Sequence, residues 1–139
     1  NLDFLRFFAD GATVSTPRVC LIDRDKQGSM RLLESRSILG DFMVIHPGSG
    51  GSADRWPLEN FLRLAELIMK QGVQVVVTGS VSEAQVIERM AAHLGIRVPT
   101  LGGDIDLRTL SAVLASARLV VSNSTGPLHL AAAVGTPVV

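Results

Sequence analysis

An α/β fold, with a parallel sheet covered by helices on both faces, is what this chain of 139 residues predicts. Three observations carry the expectation. Short apolar runs alternate with longer amphipathic stretches after residue 40, the connections between them are short, and the apolar runs are rich in β-branched residues. The first run, residues 42–46, is a buried-strand pattern ended by Pro47-Gly48. Pro57 then opens a helix, because Leu58, Phe61, Leu62, Ala65, Ile68 and Met69 recur at three- and four-residue spacing and share a face. Gly72 is suited to close it in the left-handed conformation. Residues 73–78 form the second strand.

Ser82 and Gln85 have capping-box spacing for a helix that turns Ile87, Met90, Ala91 and Leu94 inward and ends near Gly95. Residues 98–101 make a short third strand, and Asp106 is an N-cap for a helix with Leu107, Leu110, Leu114 and Ala117 on one side. Residues 119–122 are the fourth strand. Pro127 suits the first turn of a helix over 128–134, and Gly135-Thr136 leads into another strand at 137–139. With right-handed crossovers, this order is a Rossmann-like doubly wound unit.

Residues 1–40 do not join the alternation. Leu2, Phe4, Leu5, Phe7 and Phe8 suggest an amphipathic helix, 19–22 a strand, 23–29 a polar turn, and 30–39 a helix. The expected division is an interdomain segment over 1–40 and one Rossmann-like domain over 41–139, with an extension of that same domain as the alternative. Both ends read as cut, since Val138-Val139 stops within a buried strand.

Composition narrows the function. Lys plus Arg number 13 and Asp plus Glu 13, so the net charge is zero and a general nucleic-acid binder is disfavoured. At 47% hydrophobic and 19% charged, the chain buries a core. No apolar run reaches the roughly 18 residues of a membrane span. The single cysteine, Cys20, excludes an internal disulfide and fits a reducing, cytoplasmic setting.

In an open parallel sheet, ligands bind beyond the carboxyl ends of the strands. Three glycine- and hydroxyl-rich segments fall there: 46–52 (HPGSGGS), Thr78-Gly79-Ser80, and 122–127 (SNSTGP). Glycine lets main chain approach a ligand and hydroxyls add donors. The third segment runs into a helix, whose amides and dipole favour a phosphate. Gly48 to Ala53 matches G-x-G-x-x-A in form, but Asp54-Arg55-Trp56-Pro57 intervenes before the helix, so a dinucleotide site is not expected. His129 is placed to reach a phosphate or to bond a neighbouring loop. His46 orders its loop, His93 is solvated, Trp56 packs on the core in preference to stacking on a base, and Arg55 is a surface charge or a phosphate contact. No histidine–carboxylate pair has metal-ligand spacing, so no metal or other cofactor is expected.

Together, 46–51 (HPGSGG), 55–61 (RWPLENF) and 122–133 (SNSTGPLHLAAA) resemble glycosyltransferase family 9, the ADP-heptose:lipopolysaccharide heptosyltransferases, with the order and spacing of the blocks kept along the whole chain. The resemblance implies the GT-B architecture, two Rossmann-like halves facing a cleft, of which this is the half that binds the nucleotide-sugar donor. It implies an inverting sugar transfer from a donor such as ADP-heptose to lipopolysaccharide core or a related glycan. The acceptor and the catalytic aspartate then belong to an N-terminal half, so this fragment alone is expected to be inactive. The donor diphosphate is assigned to Ser124, Thr125, Gly126, Pro127, Leu128 and His129, with Ser49, Gly50, Gly51 and Arg55. The nucleoside and ribose are assigned to Thr78, Gly79, Ser80 and Glu83. Amides aimed at the leaving diphosphate lower the barrier without a metal. A bacterial enzyme is implied, cytoplasmic or peripheral on the inner face of the inner membrane. Two positions depart from the family pattern: Ser124 stands where an aspartate is usual, and Asp54 where a lysine is common. These departures weaken ADP-heptose as the donor, and leave a same-fold nucleotide-sugar epimerase or a non-catalytic sugar-nucleotide module as alternatives.

Overall fold

The computed structural model describes residues 17–49, 55–95, 98–103 and 105–139. Its elements are α1 (Asp23–Ser35), β1 (Phe42–His46), α2 (Leu58–Lys70), β2 (Gln74–Gly79), a 3-10 turn (Val81–Glu83), α3 (Ala84–Leu94), β3 (Thr100–Gly102), α4 (Leu107–Ser116), β4 (Leu119–Ser122) and α5 (Gly126–Ala133). The strands pair in parallel in the order β3-β2-β1-β4, and Val138 bridges Val120 in parallel beyond β4. The α/β doubly wound expectation is met.

The strands are apolar on both sides because both sides are covered. Val44, Val76 and Val120, in register across three strands, face Leu33, Ile38, Val113, Leu114 and Ala131 of the α1, α4 and α5 layer. Ile45, Val77 and Val121 point the other way, onto Phe61, Ala65, Ile87 and Met90 of α2 and α3. Successive side chains alternate faces, so a run of β-branched residues serves both layers at once. β1 is central, and the chain leaves it for β2 on one side while β4 returns on the other. The β1–β4 border is therefore the switch point of the sheet, where such folds open a crevice.

The predicted caps hold in part. Gly72 closes α2 at φ +78°, and Asp106 caps α4 by accepting from the Thr109 N–H at 2.8 Å. The box before α3 is Ser80 with Glu83, not Ser82 with Gln85. The strand ends at Gly79, so Ser80 is the first residue past it and gives its N–H and its hydroxyl to Glu83, while the later serine lies already inside the 3-10 turn. The third strand is Thr100–Gly102, two residues later than expected.

The segment before residue 40 departs further. Residues 19–22 form no strand, although the Val19 N–H donates to the Ala133 carbonyl at 2.9 Å. Residues 23–29, read as a polar turn, are the first half of α1. The Asp25 carboxylate receives the Ile22 N–H at the helix start and is gripped by Nε and Nη2 of Arg108 on α4. Leu33 and Ile38 then enter the core beneath α4. The helix expected over residues 2–8 lies outside the described residues.

Candidate functional site

The six buried polar side chains among the described residues divide in two. Ser29, Ser111 and Thr136 each donate to a helix carbonyl, to Lys26, Leu107 and Leu114 respectively, and are structural. His46, Thr78 and Asn123 sit at the carboxyl ends of β1, β2 and β4, beneath the edge where a ligand would lie.

On the β2 side of β1, the Thr78 hydroxyl and His46 Nδ1 are 3.1 Å apart and buried. The other ring nitrogen of His46 lies 3.7 Å from Glu83 Oε2. Burial pushes the His46 pKa down, and the Glu83 charge opposes this without reversing it. The ring is thus neutral at pH 7, with its Nε2–H facing the carboxylate when Thr78 donates to Nδ1. Glu83 Oε2 accepts from the Ser80 N–H at 2.7 Å and the Ser80 hydroxyl at 2.8 Å. Burial works against its charge, but the two Ser80 bonds, with His46 and Arg55, outweigh that and hold the carboxyl below its usual range. Glu83 Oε1 has no hydrogen-bond partner among the described residues. It occupies the space a Cβ on Gly48 would need, so only glycine at 48 leaves the carboxylate where it is.

On the β4 side, Asn123 makes three bonds. Its Oδ1 accepts the Trp56 N–H at 3.0 Å, and its Nδ2 donates to the carbonyls of Pro47 at 2.9 Å and Gly48 at 3.2 Å. One buried amide thus ties the loop leaving β1 and the entry to α2 onto the end of β4. Beside it, the Ser122 hydroxyl donates to the Asn123 carbonyl and lies 3.0 Å from the Thr125 hydroxyl, shaping the turn into α5. Sequence reading assigned Asn123 no role. Its partners stand 67 to 76 positions away, beyond the reach of any local pattern.

Two cavities open over these groups. One, of 790 Å³, runs from His46, Thr78, Gly79, Ser80 and Glu83 to Thr125, Gly126 and Pro127, with an apolar wall of Val81, Leu101, Ile105, Leu107 and Leu110. The other, of 650 Å³, is lined by Pro47, Gly48, Ser49, Arg55, Trp56 and Arg89, and shares Ser80, Ser82 and Glu83 with the first. Val81 and Leu107 stand 75% and 73% exposed at the mouth of the first cavity, as apolar lips on an otherwise wet edge.

The structure thus brings most of the sequence-selected residues together. Ser49 and Arg55 line the smaller cavity, while Thr78, Gly79, Ser80, Glu83, Thr125, Gly126 and Pro127 line the larger. The Thr78 hydroxyl is engaged by His46, and the absent side chain of Gly79 makes room for Ile87, whose Cδ1 would stand 2.6 Å from a Cβ there. The amides of the helix start are unequal. Leu128 and His129 donate theirs to the Thr125 carbonyl at 3.1 and 3.4 Å, and Pro127 has none. The N–H groups of Ser124, Thr125 and Gly126 have no acceptor among the described residues, and a Cβ on Gly126 would meet no protein atom within 4 Å. His129 is exposed on the first turn of α5 and lines neither cavity. Trp56 is 43% exposed and sets its ring edge against Phe61, with centroids 4.7 Å apart. His93, expected to be solvated alone, pairs with Glu66 at 3.0 Å across α2 and α3. Gly50, Gly51 and Asp54 lie outside the described residues. Among the described residues no three His, Cys, Asp or Glu side chains gather as a metal-ligand set, and no helix is long and apolar enough to cross a membrane.

A doubly wound parallel sheet with a polar crevice at its switch point and a glycine-led helix beside it defines a Rossmann-like α/β unit. Among solved structures, the fold matches a glycosyltransferase family 9 protein from Veillonella parvula (TM-score 0.85, 18% identity, covering 99% of this chain and 40% of that one). It also matches the E. coli heptosyltransferase WaaC with ADP (TM-score 0.63, 27% identity, covering 76% and 34%). A curated relative, lipooligosaccharide heptosyltransferase 2 of Haemophilus ducreyi, is 31% identical over 109 residues, which are 75% of this chain and 30% of the relative. The model of glycosyltransferase family 9 (heptosyltransferase) matches residues 16–139, and the chain belongs to that family. Its Rossmann-like sheet corresponds to part of a GT-B structure, spanning about a third of the curated relative it matches.

Proposed function

We propose that this chain is the donor-binding half, over residues 41–139, of an inverting glycosyltransferase that moves heptose from ADP-heptose to lipopolysaccharide core or a related bacterial glycan, with residues 1–40 leading in from an acceptor-binding half. The observation that carries the reading is the larger cavity. One end is apolar, at Leu101, Ile105, Leu107 and Leu110, and the other is a turn whose Thr125 and Gly126 amides have no acceptor among the described residues. A ligand that suits both ends has a flat apolar head and an anionic tail, as a nucleoside diphosphate does.

In this reading the base lies between the apolar lips, and Glu83 Oε1 accepts from a ribose hydroxyl. The amides of Ser124, Thr125 and Gly126 hold the diphosphate, with the α5 dipole behind them. Ser49 and Arg55, lining the smaller cavity, contact the distal phosphate and the sugar, a role assigned to Gly50 and Gly51 as well. As the glycosidic bond breaks and charge grows on the diphosphate, these fixed donors stabilise it in place. The base that takes the acceptor proton is supplied by the other half, and the enzyme works at the cytoplasmic face of the inner membrane. ADP in the WaaC structure and the heptosyl activity in the name of the Haemophilus ducreyi relative support adenine and heptose as the donor components.

The test is a thermal-shift panel of ADP, UDP, GDP and CDP. Ligand that binds only the native state raises stability logarithmically with its concentration. ADP is expected to give the largest rise. No shift with any of the four at millimolar concentration would remove the donor-site reading.

A further inference from the structure

Asn123 lines neither cavity, yet three walls of the smaller one hang from it. Pro47, Gly48 and Trp56 all line that cavity, and each gives a main-chain group to the Asn123 side chain. Among the described residues, none on the apolar wall of the larger cavity is hydrogen-bonded to Asn123. The two ends of the site are therefore held by different means: one by packing in the core, the other by a single buried amide.

The bonds also fix direction. In a trans peptide the N–H points opposite to the C=O, and the described chain has no cis bonds. With the Pro47 carbonyl turned towards Asn123, the Gly48 N–H is turned away from Asn123, and Gly48 itself lies against Glu83, on the β2 side, in the lining of the smaller cavity. The Gly48 N–H has no acceptor among the described residues. The Ser124, Thr125 and Gly126 amides, which have no acceptor among the described residues, start immediately after Asn123. The residue thus sits between two sets of main-chain donors, one on each bank of the β1–β4 crevice.

We infer that Asn123 is the positioning residue of the phosphate end of the site: it sets the Gly48 amide and the loop after β1 against the α5 turn, so that a diphosphate is gripped from both banks. This rests on the donor-site reading above. Neither aspartate nor alanine can replace Asn123. A carboxylate would set negative oxygens against two carbonyls, and a methyl leaves those carbonyls and the Trp56 amide without partners in a buried place.

The test compares ADP with adenosine by calorimetry on the full chain. Asn123→Ala is expected to weaken ADP at least about tenfold, a change of about 1.4 kcal/mol, while adenosine affinity stays within about twofold. Asn123→Asp should act in the same sense and more strongly. A merely structural residue would lower both affinities together, and that result overturns the inference while leaving the donor site standing. Equal ADP affinity in variant and wild type overturns it too. If wild type itself fails to bind ADP, the donor reading falls and takes this one with it. Should both variants fail to fold, amide NMR of the wild type decides. The Gly48 N–H resonance should move with ADP and stay with adenosine, and an unmoved Gly48 sinks the inference.

Discussion

The two flanks of β1 solve one problem by different chemistry. Towards β2, buried polarity is held by a titratable pair, His46 and Glu83, steadied by Thr78 and Ser80. Towards β4, it is held by one neutral amide with three main-chain partners. The first arrangement places a charged acceptor between the cavities and makes the site sensitive to acid. The second does not titrate, and arranges donors instead. An acceptor flank and a donor flank side by side suit a ligand that carries hydroxyls at one point and anionic oxygens at the next.

The largest expected effect breaks the donor flank alone. Gly126→Val adds a side chain that meets no protein atom at its root, on a residue that lines the larger cavity. ADP affinity should fall at least about a hundredfold, or about 2.7 kcal/mol, with the melting temperature of the free protein little changed. Calorimetry alongside a melt checks both halves of that statement. Next comes the acceptor flank. Thr78→Val removes the hydroxyl from His46 Nδ1 in a fully buried place, and should cost about 1–3 kcal/mol in a urea melt.

The pH profile then separates the flanks. His46 has a folded pKa below its unfolded value, so protons favour the unfolded chain. Its contribution is complete above the ordinary histidine range near pH 6.5 and is lost as pH falls from there through the lowered folded value. Glu83, also lowered, adds a further loss as pH drops below its ordinary 4.5. Melting temperature should therefore fall between pH 7 and 5 in wild type, and less steeply in His46→Gln. A parallel decline in the two proteins would dismiss the buried-histidine account. Asn123→Ala should leave the slope of this profile unchanged. Smaller still is Ser80→Ala, which removes one bond to Glu83 and part of the cap before α3, for about 1 kcal/mol. The exposed His93–Glu66 pair is the control, and His93→Ala should shift stability by less than about 1 kcal/mol.

Much of the frame was legible in the sequence because it is written locally. The strand at 42–46 and the stop at Gly72 follow from side-chain alternation and from one residue able to take a positive φ. The first half of α1 was not legible. The buried side chains of the whole helix are only Ser29 and Leu33, and Gly28 with the charges at 23–26 reads as a turn, while the Asp25 carboxylate is held by Arg108 on a distant element. Ser80 and Ser82 both satisfy the capping spacing, and only the end of β2 decides between them. At the site, glycines and hydroxyls announced the loops. The clamp that joins those loops, and the carboxylate that takes the space beside Gly48, come from the order of the strands, which brings residues 48, 83 and 123 to one edge.

That order has a consequence for how the protein is made. Of the four strands among the described residues, β4 comes last in the chain and docks beside the first, skipping over everything between. A ribosome that has released residues 1–118 has already supplied β1, β2 and β3, but neither Asn123 nor the turn into α5. The β1–β4 crevice therefore closes only once β4 has docked, and a chain stalled a few residues short of β4 would leave the Pro47 and Gly48 carbonyls without the Asn123 amide that holds them.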